Sequence, residues 1–232
     1  MTARLPDSRR DYVTQMFSGI AERYDLMNRL MTLGMDTRWR RQAADLAQLR
    51  PGQRALDVAA GTGDLAIELA GRVGPGGQVI GIDLTEPMLQ RGRRKLAGKN
   101  LPVRLELGDG LEIAYPDNHF DAVTCAFGLR NMDDRQLALN EMSRVAKPGS
   151  RVVILELTPP HNEVARLYMD SVIPRLGQLI ASAGEAYTYL PESAKEFPQP
   201  AALGHMFQAA GLRDVAYRLI NFGTVALHWG TK

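Results

Sequence analysis

Ala55-Leu56-Asp57-Val58-Ala59 runs without a break into Ala60-Gly61-Thr62-Gly63-Asp64-Leu65-Ala66. A short apolar run that meets two glycines and then a helix-forming stretch is the start of a βα unit. The glycines allow a sharp turn and let the backbone approach a ligand closely. The helix that follows offers unpaired N–H groups at its N-terminus to a negative or polar group. About twenty residues further on, Asp83 closes the next apolar run, where a carboxylate can accept both hydroxyls of a ribose. A plain tight turn would explain the glycines alone. It does not explain strand, glycines, helix and distant acid together, so the stretch implies an α/β nucleotide-binding domain.

Outward from this unit, short β-rich runs alternate with amphipathic stretches, as in βαβ units around a parallel sheet. Strands are expected over Arg54 to Ala59, Gln78 to Leu84, Val103 to Gly108, Phe120 to Ala126 and Ser150 to Leu157. Helices are expected over Asp64 to Val73, Pro87 to Leu96 and Arg135 to Val145, with turn chemistry at Gly74-Pro75-Gly76-Gly77 and Lys147-Pro148-Gly149. Upstream, Met16, Ile20, Tyr24 and then Leu26, Leu30, Leu33 recur at helical spacing, which predicts two or three helices before Pro51-Gly52. Downstream of Pro159-Pro160 the alternation stops, and residues 161 to about 211 read as a helical cap. Arg213 to Ile220 and Thr224 to Trp229 read as a closing antiparallel pair joined by Asn221-Phe222-Gly223. The expectation is a single domain over 1–232 with a mostly parallel, seven-stranded, Rossmann-like sheet. It divides into a helical lid region 1–50, a cofactor-binding core 53–157, a cap insertion 158–211 and closing strands 212–232.

With 45% apolar and 23% charged residues over 232 positions, the chain is long and apolar enough to bury a sizeable core. Its net charge is +2, and basic residues cluster only briefly, at Arg38, Arg40, Arg41 and at Arg91, Arg93, Arg94. A nucleic-acid reader concentrates them more, so these read as solvated helix faces, with attraction to anionic lipid headgroups as the second reading. Cys125 is the one cysteine, which excludes an intrachain disulfide and a thiolate-rich metal site. No metal is expected. Met1 to Val13 lacks the apolar segment of an export signal, and no stretch approaches the ~20 apolar residues that span a bilayer. A cytoplasmic location is the expectation.

Gly61-x-Gly63-x-x-Ala66 with an acid at the second strand also satisfies the dinucleotide fingerprint, so an NAD-dependent oxidoreductase is the rival. Asp57 in the first strand and Asp109 between Gly108 and Gly110 tilt the choice. Carboxylates there suit the amino group of a methionine moiety and repel a pyrophosphate. This favours S-adenosylmethionine, with Asp57, Gly61, Thr62, Gly63, Asp83, Asp109 and Gly110 as candidate cofactor-binding residues. For Asp109 a helix N-cap is an equal reading.

Phe127-Gly128-Leu129-Arg130-Asn131 resembles the ubiquinone/menaquinone biosynthesis C-methyltransferase family, and the resemblance covers almost the whole chain. Met16-Phe17-x-x-Ile20-Ala21-x-x-Tyr24-Asp25-x-x-Asn28, Trp39-Arg40-Arg41, Gly61-Thr62-Gly63-Asp64, Lys147-Pro148-Gly149, Tyr187-x-Tyr189-Leu190 and Ala226-Leu227-His228 belong to it. It implies a Rossmann-like class I methyltransferase using S-adenosylmethionine, with cofactor contacts on Thr62, Asp83, Asp109 and Gly110. The chain departs at Ala126, where similar sequences carry a serine, at Ser150, and at Ala114-Tyr115-Pro116.

The implied reaction moves a methyl group from a sulfonium to a ring carbon of demethylmenaquinol, or of a related benzoquinol. Loss of a phenolic proton, of pKa ~10 in tyrosine, makes that carbon nucleophilic. Arg130, after the fourth strand, is the first candidate for stabilising the phenolate, with Asn131 beside it. The competing reading makes Arg130 a structural tie. Tyr187, Tyr189 and His205 are candidate substrate-binding residues, and His205, His228 or water the proton acceptor. A polyprenylated quinol implies contact with a membrane surface. Met16, Phe17, Ile20, Met27, Leu30, Met31 and Leu33, near Arg23, Arg29 and Arg38, offer such a face, unless they pack on the sheet. Amino-methylation of bases calls for an Asn/Asp-Pro-Pro-aromatic segment, cytosine methylation for Pro-Cys, and radical chemistry for three cysteines. None of these is here. A non-catalytic nucleotide-binding protein is the other class, which the intact Gly61, Gly63 and Asp83 oppose.

Overall fold

The computed structural model describes residues 9–159, 189 and 192–232. Three helices lead in: α1 (Arg9–Ile20), α2 (Tyr24–Met31) and α3 (Met35–Leu46). There follow β1 (Arg54–Val58), α4 (Asp64–Val73), β2 (Gln78–Asp83), α5 (Glu86–Leu96), β3 (Val103–Leu107), β4 (Phe120–Ala126), α6 (Arg135–Val145) and β5 (Ala146–Leu157). Beyond the undescribed stretch lie α7 (Pro200–Ala209), β6 (Arg213–Ile220) and β7 (Val225–Thr231).

Seven strands form one sheet in the order β3-β2-β1-β4-β5-β7-β6. β1 pairs in parallel with β2 and β4, β2 with β3, and β4 with β5, whereas β7 runs antiparallel to both β5 and β6. The sheet is mixed by virtue of this one reversed strand. Period-2 alternation sorts the strand side chains onto two faces. Leu56, Val58, Ile80, Val123, Val152 and Ile154 pack on one face with Leu139 and Met142 of α6 and Phe207 of α7. Ala55, Val79, Ala122, Val153, Leu155 and Leu227 pack on the other with Trp39 and Ala43 of α3 and Leu65 and Leu69 of α4. Each fully buried Leu or Phe in these layers contributes about 1.5–3 kcal/mol.

Local signals explain the helix starts. Asp134 caps α6 by accepting from the Leu137 amide at 2.8 Å, and Pro200 occupies the first turn of α7, where its missing N–H costs nothing. The expected strands and helices occur where the alternation placed them, to within one residue at most ends. Two boundaries differ: β7 runs two residues past Trp229 to Thr231, and β5 starts four residues before Ser150. Lys147-Pro148-Gly149, read as a linker, lies inside β5: the strand pairs Ala146 with Phe120, shifts register, and resumes at Arg151 beside Ala122. The Pro-Gly pair serves as an irregularity there, with Gly149 at φ 81° and its amide held by the Lys232 carbonyl at 2.8 Å. Most of the expected cap 158–211 lies outside the described residues, apart from α7.

Candidate active site

Parallel strands deliver their C-terminal ends to one edge of the sheet. The winding reverses between β1, which leads to β2 and β3, and β4, which leads to β5, and ligands of open α/β sheets bind at such a switch point. A cleft opens there. Its floor is made by the loops after β1, β2, β3 and β4, and α1 with Tyr24 roofs it through Arg10, Val13, Thr14 and Phe17. Ala59 and Phe127 line it in the left-handed region, at φ 55° and 59°. Such backbone persists where the surroundings over-determine it, commonly at functional sites.

Gly61 and Gly63 turn the first loop at φ 55° and 82°. The Gly61 amide donates to Asp83 Oδ2 and the Thr85 amide to Oδ1, both at 2.8 Å. These bonds, with a further one from the Thr85 side chain, fix the carboxylate at the cleft wall. Burial pushes the Asp83 carboxyl up, and the Thr85 and Gly61 amides oppose that shift. Asp109 also lines the cleft; its Oδ1 accepts from the Leu111 amide at 2.8 Å, and its Oδ2 pairs with Arg10 of the lid at 2.8 Å. A turn follows Asp109, with an isolated bridge to Glu112, so the residue caps no helix. Gly110 lines the same wall.

Asp57, Thr62 and Gly63 stand behind this wall, not among the residues that line the cleft. Asp57 is buried in β1, accepts from Thr124 Oγ1 at 2.8 Å, and is pushed up to about 7 by burial, against the Thr124 hydroxyl and the Arg40 guanidinium. Thr62 donates its hydroxyl to Asp25 of the lid at 2.6 Å. Arg130 is also buried: Nη1 donates to the Phe127 carbonyl at 2.5 Å and pairs with Glu156 at 2.9 Å. Its neighbour Asn131 does line the cleft and accepts from the Tyr189 hydroxyl at 3.0 Å, and the Tyr189 ring lies 5.8 Å from that of Tyr12. Tyr187 lies outside the described residues. His205 is exposed on α7, and His228 is buried in β7, its Nε2 bonded to the Pro200 carbonyl at 2.9 Å and its ring 5.2 Å from Tyr217. Burial pulls His228 down to about 4. Neither histidine lines the cleft.

In the sequence Tyr24 reads as a packing residue at helical spacing with Met16 and Ile20, with no chemical role. Tyr24 lines the cleft. Burial pushes its phenol up, tempered by the Arg40 charge, the Asn28 side chain and the Arg130 charge, so it is a protonated hydrogen-bond donor at neutral pH.

A wall of two carboxylates, glycines that admit close approach, and a half-apolar roof fits a cofactor with a ribose, an amino group and a positive centre. The model of the ubiE/COQ5 methyltransferase family matches residues 5–232. The chain belongs to this family. As a family member it is an S-adenosylmethionine-dependent methyltransferase. It is 49% identical to a demethylmenaquinone methyltransferase of Thermus thermophilus, over 94% of this chain and 100% of that one. It is 44% identical to a ubiquinone/menaquinone biosynthesis C-methyltransferase of Burkholderia multivorans, over 95% of this chain and 92% of that one. A solved S-adenosylmethionine-dependent methyltransferase of Aquifex aeolicus shares the fold at 23% identity with a TM-score of 0.57, covering 79% of this chain and 83% of that one. In this methyltransferase Ala126 lines the cleft without the hydroxyl a serine would bring.

Proposed function

We propose that the enzyme methylates a ring carbon of demethylmenaquinol to give menaquinol. The observation that carries this reading is the 49% identity along the full length of a relative of that name. When bound, the cofactor supplies an electrophilic methyl on a sulfonium. The ring carbon gains that methyl and loses its proton, and the sulfonium leaves as a neutral thioether. We further propose that Asp83, Asp109, Gly61 and Gly110 hold the cofactor, with Asp57, Thr62 and Gly63 supporting them from behind. On the acceptor side, Asn131 and Tyr24 orient the quinol oxygens while Phe17, Phe127 and Met132 exclude water. Arg130, ion-paired with Glu156 behind Phe127, holds the Phe127 carbonyl and so keeps the loop that carries Asn131 preorganised. Tyr189 on Asn131 closes the acceptor side.

Label from radioactive S-adenosylmethionine is expected in reduced demethylmenaquinone presented in detergent, and none in the oxidised quinone. Label in a demethoxy benzoquinol alone would overturn the menaquinol assignment in favour of ubiquinone synthesis, which the Burkholderia relative's name keeps as the second reading.

A membrane-surface contact forms part of the same proposal. Of the expected apolar face, Met27 is buried and Phe17 lines the cleft, but Leu30 is 44% and Leu33 83% exposed, joined by Leu26 at 56%. Arg29 and Arg38 are exposed beside them, a mixture suited to an anionic bilayer surface. No helix among the described residues is long and apolar enough to cross a membrane. Leu30→Asp with Leu33→Asp is expected to abolish co-sedimentation with anionic vesicles; undiminished co-sedimentation would remove this part of the reading.

A further inference from the structure

Thr62 sits on the glycine loop, is 2% exposed, and faces away from the cleft. Its hydroxyl proton goes to Asp25 Oδ1 at 2.6 Å, and its oxygen accepts from Lys95 Nζ at 3.1 Å. Lys95 also reaches Asp25 Oδ2 at 3.0 Å and Asp64 Oδ1 at 2.7 Å. Four residues from four places in the chain thus meet at one point: α2 of the lid, the glycine loop, the first turn of α4 and the last turn of α5. The side chains of Asp25, Lys95 and Asp64 are 13%, 19% and 24% exposed, so water screens them poorly. Burial alone would push the Asp25 carboxyl up, but the Thr62 hydroxyl and the Lys95 charge outweigh it and hold it below the ordinary carboxylate range. The lid's other ties are more open. Glu22 pairs with Arg91 at 3.0 Å and with Arg94, but its side chain is 66% exposed.

We propose that Asp25 and Lys95 are positioning residues that fasten the α1–α2 lid to the glycine loop through the Thr62 hydroxyl, so that this side chain retains the cofactor by holding the lid. The lid carries Arg10, Val13, Thr14, Phe17 and Tyr24 over the cleft. Asp25 directly follows Tyr24, so the same latch sets where the phenol stands. A lid fastened to the loop that it covers slows escape of whatever lies between them.

The inference rests on the use of S-adenosylmethionine and not on the identity of the quinol. It is tested in the full chain with Thr62→Val, Asp25→Asn, Lys95→Met, Lys95→Arg and the Asp25→Asn/Lys95→Met double variant. The readouts are S-adenosylmethionine affinity by calorimetry, hydrogen exchange over residues 9–33 with and without S-adenosylmethionine, and the split between KM for the cofactor and kcat. Thr62→Val, Asp25→Asn and Lys95→Met are each expected to weaken cofactor binding about tenfold, as loss of a charge-assisted bond does. Each should also abolish the cofactor-induced protection of residues 9–33 and raise KM far more than it lowers kcat. The double variant should be little worse than either single, and Lys95→Arg should recover most of the binding. Weaker binding in Thr62→Val with lid protection intact would show direct ligation and overturn the proposal. Additive losses in the double variant, or unchanged binding in Asp25→Asn and Lys95→Met, would overturn it too. If Asp25→Asn also loses exchange protection in the sheet, the Met and Arg variants at Lys95 decide alone. Affinity and exchange need no acceptor, so failure of the quinol reading would appear only in the transfer assay.

Discussion

The loops at the strand ends and the lid above them face the same cleft and are held in place by different forces. The loops after β1, β2 and β4 grow out of strands that are mostly buried on both faces, and polar groups there are tied to one another: Asp83 to the Gly61 and Thr85 amides, Asp57 to Thr124 within the strands, Arg130 to Glu156. The lid contributes no strand. Its described anchors to the core include the ion pairs of Arg10, Glu22 and Asp25. Core-held loops keep a geometry ready before any ligand arrives, whereas an ion-paired lid can come and go at small cost. Substrate entry needs the second property and catalysis the first.

The contrast breaks most visibly if the core side is disturbed. Glu156→Ala leaves the buried Arg130 guanidinium and the Arg130 and Leu157 amides without their carboxylate. Urea unfolding should show a loss of about 3–5 kcal/mol. A loss below 1 kcal/mol would place Arg130 outside the structural frame.

A second measurement sharpens the comparison through pH. Burial raises the Asp57 carboxyl to about 7 in the folded chain, while an unfolded aspartate titrates near ~3.9. Between those values the folded state holds more protons, so this group's contribution falls as pH rises and is fully lost above about 7. Asp57→Asn lacks the titration, and its stability relative to wild type should climb by about 2–4 kcal/mol from acid to mildly alkaline pH. A flat difference across that range would mean that Asp57 is charged in the folded protein.

The smallest effect belongs to the lid's surface. Glu22→Gln removes partners of Arg91 and Arg94 that are mostly solvated, and should change the unfolding free energy by less than ~1 kcal/mol. A larger loss would make the lid part of the core's cooperative unit.

Backbone features of the site were legible in the sequence because glycines and period-2 runs report backbone directly. Gly61, Gly63, Asp83 and Asp109 fall where the strand ends had to place them. Side-chain direction was not legible. Arg130 follows the fourth strand, and nothing local says that it turns inward to Glu156, since β5 reads as an apolar run whose single acid carries no sign of its partner. Thr62 could be placed on the loop but not aimed, because Asp25 and Lys95 come from distant helices. Tyr24 has helical spacing with Met16 and Ile20 and so looks like packing, although it roofs the cleft.

The reversed strand β7 also governs how the chain is built. Ile154 cannot meet His228, nor Leu155 meet Leu227, until residues 227 and 228 have left the ribosome. Until then β5 is an unpaired apolar edge, open to pairing with other chains. Such distant pairing slows folding and exposes the nascent protein to aggregation. A shortened product that stops before Val225 would keep the entire cofactor-binding half yet lack the strand that seals it, and should be a substrate for chaperones and proteases, not a smaller enzyme.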